Sequence, residues 1–226
     1  MKRSEINNSI KKMEALLSKH SFLLPGFCHW SPNDWQDKGA EYNEIRDNML
    51  GWDVTDYGMG NFTKLGLVLV TIRNGNVHNS KYTKTYAEKI IMVQEGQVAP
   101  NHFHWKKMED IINRGGGNLV FKLYNATKDG QLDNTGVEIN MDGRKYFVKA
   151  GEEIILEPGE SMTLYPYYYH EFYVQNGTGD VLVGEVSMCN DDNTDNRFLK
   201  PLGRFPEIEE DEPPFRLLCN EYPKPK

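Results

Sequence analysis

The chain has 226 residues, of which 38% are hydrophobic, 12% aromatic and 26% charged. This composition excludes disordered, collagen-like and low-complexity proteins, and the length suits one domain with appendages that needs neither disulfides nor a metal merely to fold. A formal net charge of -7 argues against general nucleic-acid binding.

The longest apolar run, Leu65–Ile72, has the length of a strand and not of a membrane span. The opening MKRSEINNSIKKMEALL has no uninterrupted apolar segment, so no secretory signal is expected. Cys28, Cys189 and Cys219 are odd in number and form neither a zinc pattern nor a disulfide framework. A cytoplasmic protein is the expectation.

In chain order, the first element is a helix over residues 4–19. Ser4 is its expected cap, and Ile6, Ile10, Met13, Leu16 and Leu17 make one apolar stripe. Ser31-Pro32 signals a second helix start, and residues 41–50 a third helix ending at Gly51. Such stripes pack on a core or on a second subunit. From Leu65 onward the segments are short, rich in Val, Ile, Tyr and Phe, and separated by glycine, proline or Asn/Asp turns. Asp142-Gly143 is a hairpin signal. Strands at this spacing without intervening helices indicate an antiparallel sandwich or barrel. The expected organisation is a helical cap over residues 1–60, a β-barrel over 61–190 and a proline-rich tail over 191–226 lying on the barrel surface. The acidic run Glu207–Pro214 within that tail reads as solvated.

Three of the six histidines carry chemistry. His102 and His104 stand two apart in a predicted strand, so both rings face one side. Glu109 follows after enough chain to turn back towards them, and His170 opens a later strand, HEFYVQ. Three imidazoles and a carboxylate suit a divalent first-row metal and leave two octahedral positions open. The frame from Gly96 through His102, His104 and Glu109 to Gly116 reproduces the first cupin motif. The second motif is degraded, with Pro166 too close to His170, which leaves the hairpin there undefined. The fold class is thus mainly β, a cupin-type antiparallel barrel (jelly roll) with N-terminal helices. Lys89, Lys107 and Arg114 surround the ligands in sequence, and Trp105, Tyr167, Tyr168 and Tyr169 are candidate pocket walls. The side of its strand that Lys89 faces is open.

The segment EKIIMVQEGQVAPNHFHWKKMEDIINRGGGNLVFKLYNA closely resembles the bacterial D-lyxose ketol-isomerases of the cupin superfamily, and the resemblance spans nearly the whole chain. It implies the metal ligands His102, His104, Glu109 and His170, a manganese cofactor and a free sugar substrate. D-lyxose and D-xylulose are the implied pair, with D-mannose and D-fructose as seconds. The catalytic candidates are Glu109, Lys107 and Lys89, a lysine base requiring a lowered pKa. The substrate-binding candidates are Lys89, Lys107, Arg114 and Trp105. Alternatives are a cupin metal-dependent dioxygenase or decarboxylase, an isomerase of phosphorylated sugars, and a non-enzymatic sugar-binding cupin. The stripe of residues 4–19 and open sheet edges favour a homodimer. Neither a nucleic-acid nor a membrane partner is expected.

Overall fold

The computed structural model describes residues 1–225. Helix α1 spans Arg3–Lys19 and buries Ile6, Ile10, Met13 and Leu17. Ser4 is not its cap. The helix begins one residue earlier, and the Ser4 N–H and hydroxyl donate to Asp211 at 2.9 and 2.6 Å. The free N–H groups of the first turn thus take an acceptor from far along the chain. Ser31 does cap the one-turn helix α2, Pro32–Trp35, accepting from the Asp34 N–H at 3.2 Å. The helix expected over 41–50 is broken into a 3-10 turn, Ala40–Tyr42, and a short α3, Asn43–Asp47. It stops where Asn48 turns its carboxamide to the Asn74 carbonyl.

Among the described residues, fourteen strands come after the helices. The first five are β1 (Gly51–Thr55), β2 (Leu67–Arg73), β3 (Tyr86–Val93), β4 (Val98–His104) and β5 (Glu109–Gly116). Then come β6 (Leu119–Ala126), β7 (Leu132–Asp133), β8 (Val137–Met141), β9 (Arg144–Val148) and β10 (Glu153–Leu156). The last are β11 (Ser161–Leu164), β12 (Tyr168–Val174), β13 (Val181–Met188) and β14 (Asn196–Phe198). One sheet has the order β1-β2-β3-β13-β5-β11-β8-β9, and the facing sheet β10-β6-β12-β4-β14, with β7 paired to β6. All the strand pairs are antiparallel. Two curled antiparallel sheets with helices at one side make the fold mainly β and cupin-type. Strand β1 lies inside the segment expected to be helical: Trp52 and Val54 face α1, so the strand closes the core beneath that helix.

The continuous apolar runs have a simple cause. Val68 and Val70 of β2, and Ile90 and Met92 of β3, face α1. Their neighbours Leu69, Ile91 and Val93 face the barrel interior. A strand buried on both sides needs apolar residues at every position, not at alternate ones. The same parity orients two charged side chains. In β3 Lys89 shares the face of Ile91, and in β13 Glu185 shares the face of Val181 and Val183.

The acidic tail is not free in solvent. Glu210 pairs with Arg3, whose guanidinium is buried, and Glu212 accepts from Asn7 at 2.6 Å. No helix among the described residues is long and apolar enough to cross a membrane.

Candidate metal and active site

His102 and His104 project from β4 to one side, as their spacing predicts. His170 of β12 stands opposite His102 in the antiparallel register, so two strands bring three imidazoles together. One nitrogen from each ring lies within 4.8 Å of the others. Nδ1 of His102 bonds the Pro100 carbonyl at 2.8 Å and Nδ1 of His170 the Tyr168 carbonyl at 3.0 Å. Each carbonyl fixes the proton on Nδ1 and leaves Nε2 with a free lone pair. Glu109, at the start of β5, places Oε1 at 3.3 Å from His104 Nε2 and 3.4 Å from His170 Nε2.

The undefined hairpin before His170 takes a specific form. Pro166 and Tyr167 form the corners of a turn closed by the Tyr168 N–H on the Tyr165 carbonyl at 3.1 Å. Tyr167 adopts φ +67°, a conformation that suits glycine and costs other residues roughly 1–2 kcal/mol. The ring stacks on Phe103 at 5.4 Å, and the backbone bonds His104 and Ala126 on either side. This turn sets the start of β12 and hence the register that faces His170 to His102.

Burial, reinforced by the other two imidazoles, holds His102 well below the usual histidine range. Burial likewise pushes His170 down to about 4. Both rings are therefore neutral lone-pair donors at neutral pH. Burial would raise the Glu109 carboxyl, but Lys107 and the two neighbouring histidines outweigh it and keep Glu109 ionised. His104 Nδ1 is buried without a hydrogen-bond partner. Two rings locked with their lone pairs inward, a third beside them and an ionised carboxylate fit a divalent cation.

The opposite wall is charged. Lys107 Nζ lies 2.7 Å from Glu109 Oε2 and 3.0 Å from Glu185 Oε1. Lys89, whose side was open, points inward and lies 3.2 Å from the same Glu185 oxygen. Ser187 donates to that oxygen too, at 3.2 Å. Burial would lower the Lys107 pKa, yet Glu109 and Glu185 outweigh it and raise the group above its ordinary value. Lys107 is thus a fixed ammonium, and the lowered pKa that a lysine base requires is not present. Asp192 and Arg204 complete the wall, paired at 2.8 Å, with Arg204 also bound to buried Asp53. Burial pushes Asp192 up, but Lys89, Arg204 and Lys107 together hold it well below its usual range. These groups enclose a cavity of about 70 Å³ with His102, His104 and His170.

Glu185, Asp192 and Arg204 are site residues that no motif announced. Arg114 and Trp105 are not brought to the site, contrary to expectation. In β5 the inward residues are Glu109, Ile111 and Asn113, so Arg114 has the opposite parity and lies exposed across Gly184. Trp105 shares the parity of Phe103, not of the two histidines, and packs on Phe103 and Tyr167. Tyr169 is buried on that same side and donates to the Gly130 carbonyl at 2.9 Å.

A family model described as D-lyxose isomerase matches residues 1–222. The chain belongs to that family. It is therefore an aldose–ketose isomerase. The D-lyxose/D-mannose isomerase of Serratia proteamaculans is 50% identical over 98% of both chains. The protein of the same description from Escherichia coli O157:H7 is 49% identical over 98% of both. Among solved structures, the L-ribose isomerase of Cellulomonas parahominis aligns over 92% of this chain and 98% of its own, with TM-score 0.59 and 13% identity. At that identity the likeness speaks for the fold alone: the D-lyxose isomerase family shares its barrel with other sugar isomerases.

Proposed function

We propose that this chain interconverts D-lyxose and D-xylulose, and D-mannose and D-fructose, with a manganese ion held by His102, His104, Glu109 and His170. The names of its half-identical relatives support the sugars. The observation that carries the chemistry is the placement of Glu185 beside the ligand set. Three donors, from Lys89, Lys107 and Ser187, converge on its Oε1. Among the described residues none donates a hydrogen bond to Oε2.

Bound at the ligands, the metal supplies Lewis-acid stabilisation of negative charge on the C1 and C2 oxygens of an open-chain sugar. Glu185 Oε2 takes the proton from C2 of the aldose, exchanges it with solvent, and delivers a proton to C1, passing through a cis-enediol. Lys89 keeps one N–H beyond its bonds to Glu185 and Asn190. Lys107, whose three N–H groups meet Glu109, Glu185 and Asn190, turns the longest of these bonds away from Asn190. Each ammonium then donates a hydrogen bond to an oxygen that gains charge. Asp192, kept ionised by its three cationic neighbours, accepts a hydrogen bond from the sugar, and solvent carries the hydroxyl proton from O2 to O1. Glu109 and Lys107, both expected as proton carriers, thereby become a ligand and a donor.

A free sugar, not a phosphorylated one, suits this cavity. Lys89, Lys107 and Arg204 each already face a carboxylate, so no cationic group stands ready for a phosphate. With Glu109, Glu185, Asp192 and Asp53 counted against those three cations, the wall carries one negative charge in excess, which favours a cation. Membership of an isomerase family leaves the oxygenase and decarboxylase readings without support.

We also propose a cytoplasmic homodimer. The α1 stripe is spent inside the chain, so the support for assembly moves to Tyr86, Met108, Val186 and Met188, apolar side chains exposed together on the outer face of the larger sheet. Sedimentation as a monomer at micromolar concentration overturns the dimer.

The deciding experiment is a panel of free and phosphorylated aldoses, run without oxygen on metal-stripped and manganese-restored protein in deuterated water. Turnover of free lyxose, restored by manganese and with solvent deuterium entering at carbon, is the expected result. Turnover without label would replace the proton transfer by a hydride shift. Turnover only of phosphorylated sugars, or full turnover in protein shown to be metal-free, would overturn the proposal.

A further inference from the structure

Beyond β13 the chain leaves the sheet at Asn190, two residues before Asp192. The Asn190 carboxamide points back into the site, where its Oδ1 accepts from Lys89 Nζ at 2.7 Å and from Lys107 Nζ at 3.3 Å. It is the neutral acceptor shared by both lysines. An uncharged loop side chain in that position needs something to hold it.

The holder is Asn74, just after β2. Its Oδ1 accepts from the Asn190 N–H at 2.9 Å, and its Nδ2 donates to the Asn190 carbonyl at 3.1 Å. One side-chain amide thus grips both backbone polar groups of a single residue, as a neighbouring strand would. The second Nδ2 hydrogen reaches the Asn48 carbonyl at 3.4 Å, and Asn48 returns a bond from its own Nδ2 to the Asn74 carbonyl at 3.2 Å. Asn74 and Asn48 are both buried, so their carboxamides depend on these partners for their hydrogen bonds. An aspartate could not substitute at position 74. It would set a charged oxygen against two carbonyl oxygens in place of an N–H donor.

We propose that Asn74 is a positioning residue for the isomerisation: it fixes the backbone of Asn190, through which the Lys89 and Lys107 ammonium groups are aimed at the reacting oxygens. It touches neither the ligand set nor the cavity. The inference rests on the reading of the two lysines as donors. Its cost when removed is that of misplacing a donor by about 1 Å, roughly 10²-fold in turnover.

A merely structural role in this amide network would be shared by the half-buried Asn76. Its carboxamide binds the Asp47 carbonyl and Asn48 Oδ1, both at 3.1 Å, without reaching Asn190. The test therefore compares Asn74→Ala, Asn76→Ala, Asn190→Ala, the Asn74/Asn190 double variant and Lys107→Met. Metal content, kcat and KM on lyxose are measured for each. Asn74→Ala should lower kcat by between ten- and a hundredfold with metal content near normal, while Asn76→Ala keeps its kcat. The double variant should be no slower than Asn190→Ala alone, because Asn74 acts through Asn190. If Asn74→Ala proves insoluble, Asn74→Ser keeps a hydroxyl for the Asn190 N–H, drops the donor to its carbonyl, and should show the same loss of kcat. Wild-type kcat in the soluble Asn74 variant, or losses that multiply in the double variant, overturn the positioning role while an inactive Lys107→Met leaves the donor reading standing. An active Lys107→Met overturns the donor reading, and the positioning role with it.

Discussion

The two walls of the site are made of opposite materials. The histidine wall, on β4 and β12, presents neutral rings whose lone pairs are turned inward by backbone carbonyls. The facing wall, on β3, the β4–β5 turn, β13 and the chain from Asn190 to Arg204, presents full charges that neutralise one another in pairs. Glu109 stands at the seam, within ligand distance of two histidines and in an ion pair with Lys107. The difference teaches what the proposed function requires, a division of labour in which one wall would bind a cation and the other would handle protons, so that each should be open to damage without the other.

The largest effect should come from the histidine wall. His102→Ala or His170→Ala should lose metal affinity, and turnover should fall in step with metal occupancy, as chelation of the wild type should also show. Metal analysis beside kinetics checks this; a metal-free variant with full turnover would break the comparison at its root. Glu185→Gln comes next. It should retain metal while kcat falls toward the upper end of the roughly 10²–10⁴ range of a positioned acid or base. Loss of metal in that variant would mean the walls are not separable.

Lys107→Ala should also keep its metal near normal, with a kcat loss in the lower part of the same roughly 10²–10⁴ range. Near-wild-type turnover would return Lys107 to a purely structural role. The smallest effect lies far from the site and serves as a control on both walls. Hydrogen bonds from Arg3 lower the Glu210 carboxyl, and those from Ser4 lower Asp211. A folded-state pKa below the unfolded one stabilises above the ordinary carboxylate range, near 4, and that contribution is lost as pH falls through the depressed value. Asp211→Asn should therefore flatten the acid limb of stability below about pH 4, seen in urea midpoints against pH, and leave kcat untouched. An unchanged acid limb would mean that the Ser4–Asp211 bonds do not stabilise the fold.

The same division decides how much could be read beforehand. The histidine wall was legible because strand periodicity ties His102 to His104, and because the motif frame brings in Glu109. The charged wall was half legible at best. Lys89 and Glu185 sit in strands apolar on both faces, so the residues alone do not say which parity is interior; only packing of α1 on Val68, Val70, Ile90 and Met92 settles it. A charged residue on the parity of Val181 and Val183 was the available signal for Glu185. Asp192, Asn190 and Arg204 lie outside β13, where no periodicity operates. Arg114 and Trp105 were placed by nearness in sequence, and parity overrules nearness. The acidic run read as solvated because its partners, Arg3, Ser4 and Asn7, stand some two hundred residues away.

That last pairing bears on the order in which the molecule assembles. A helix of seventeen residues is marginal in water by itself. The hydrogen-bond partners of the N-terminal segment, from Met1 to Asn7, arrive from Glu207 to Phe215, across separations of 205 to 208 residues. Closing so long a loop costs entropy before any contact rewards it, and chains dominated by such contacts fold slowly. Helix α1 should consequently be among the last elements to gain protection from hydrogen exchange during refolding. Until it docks, the outer faces of β2 and β3 stand bare, which makes that half-formed sheet the point at which a refolding chain is most exposed to aggregation.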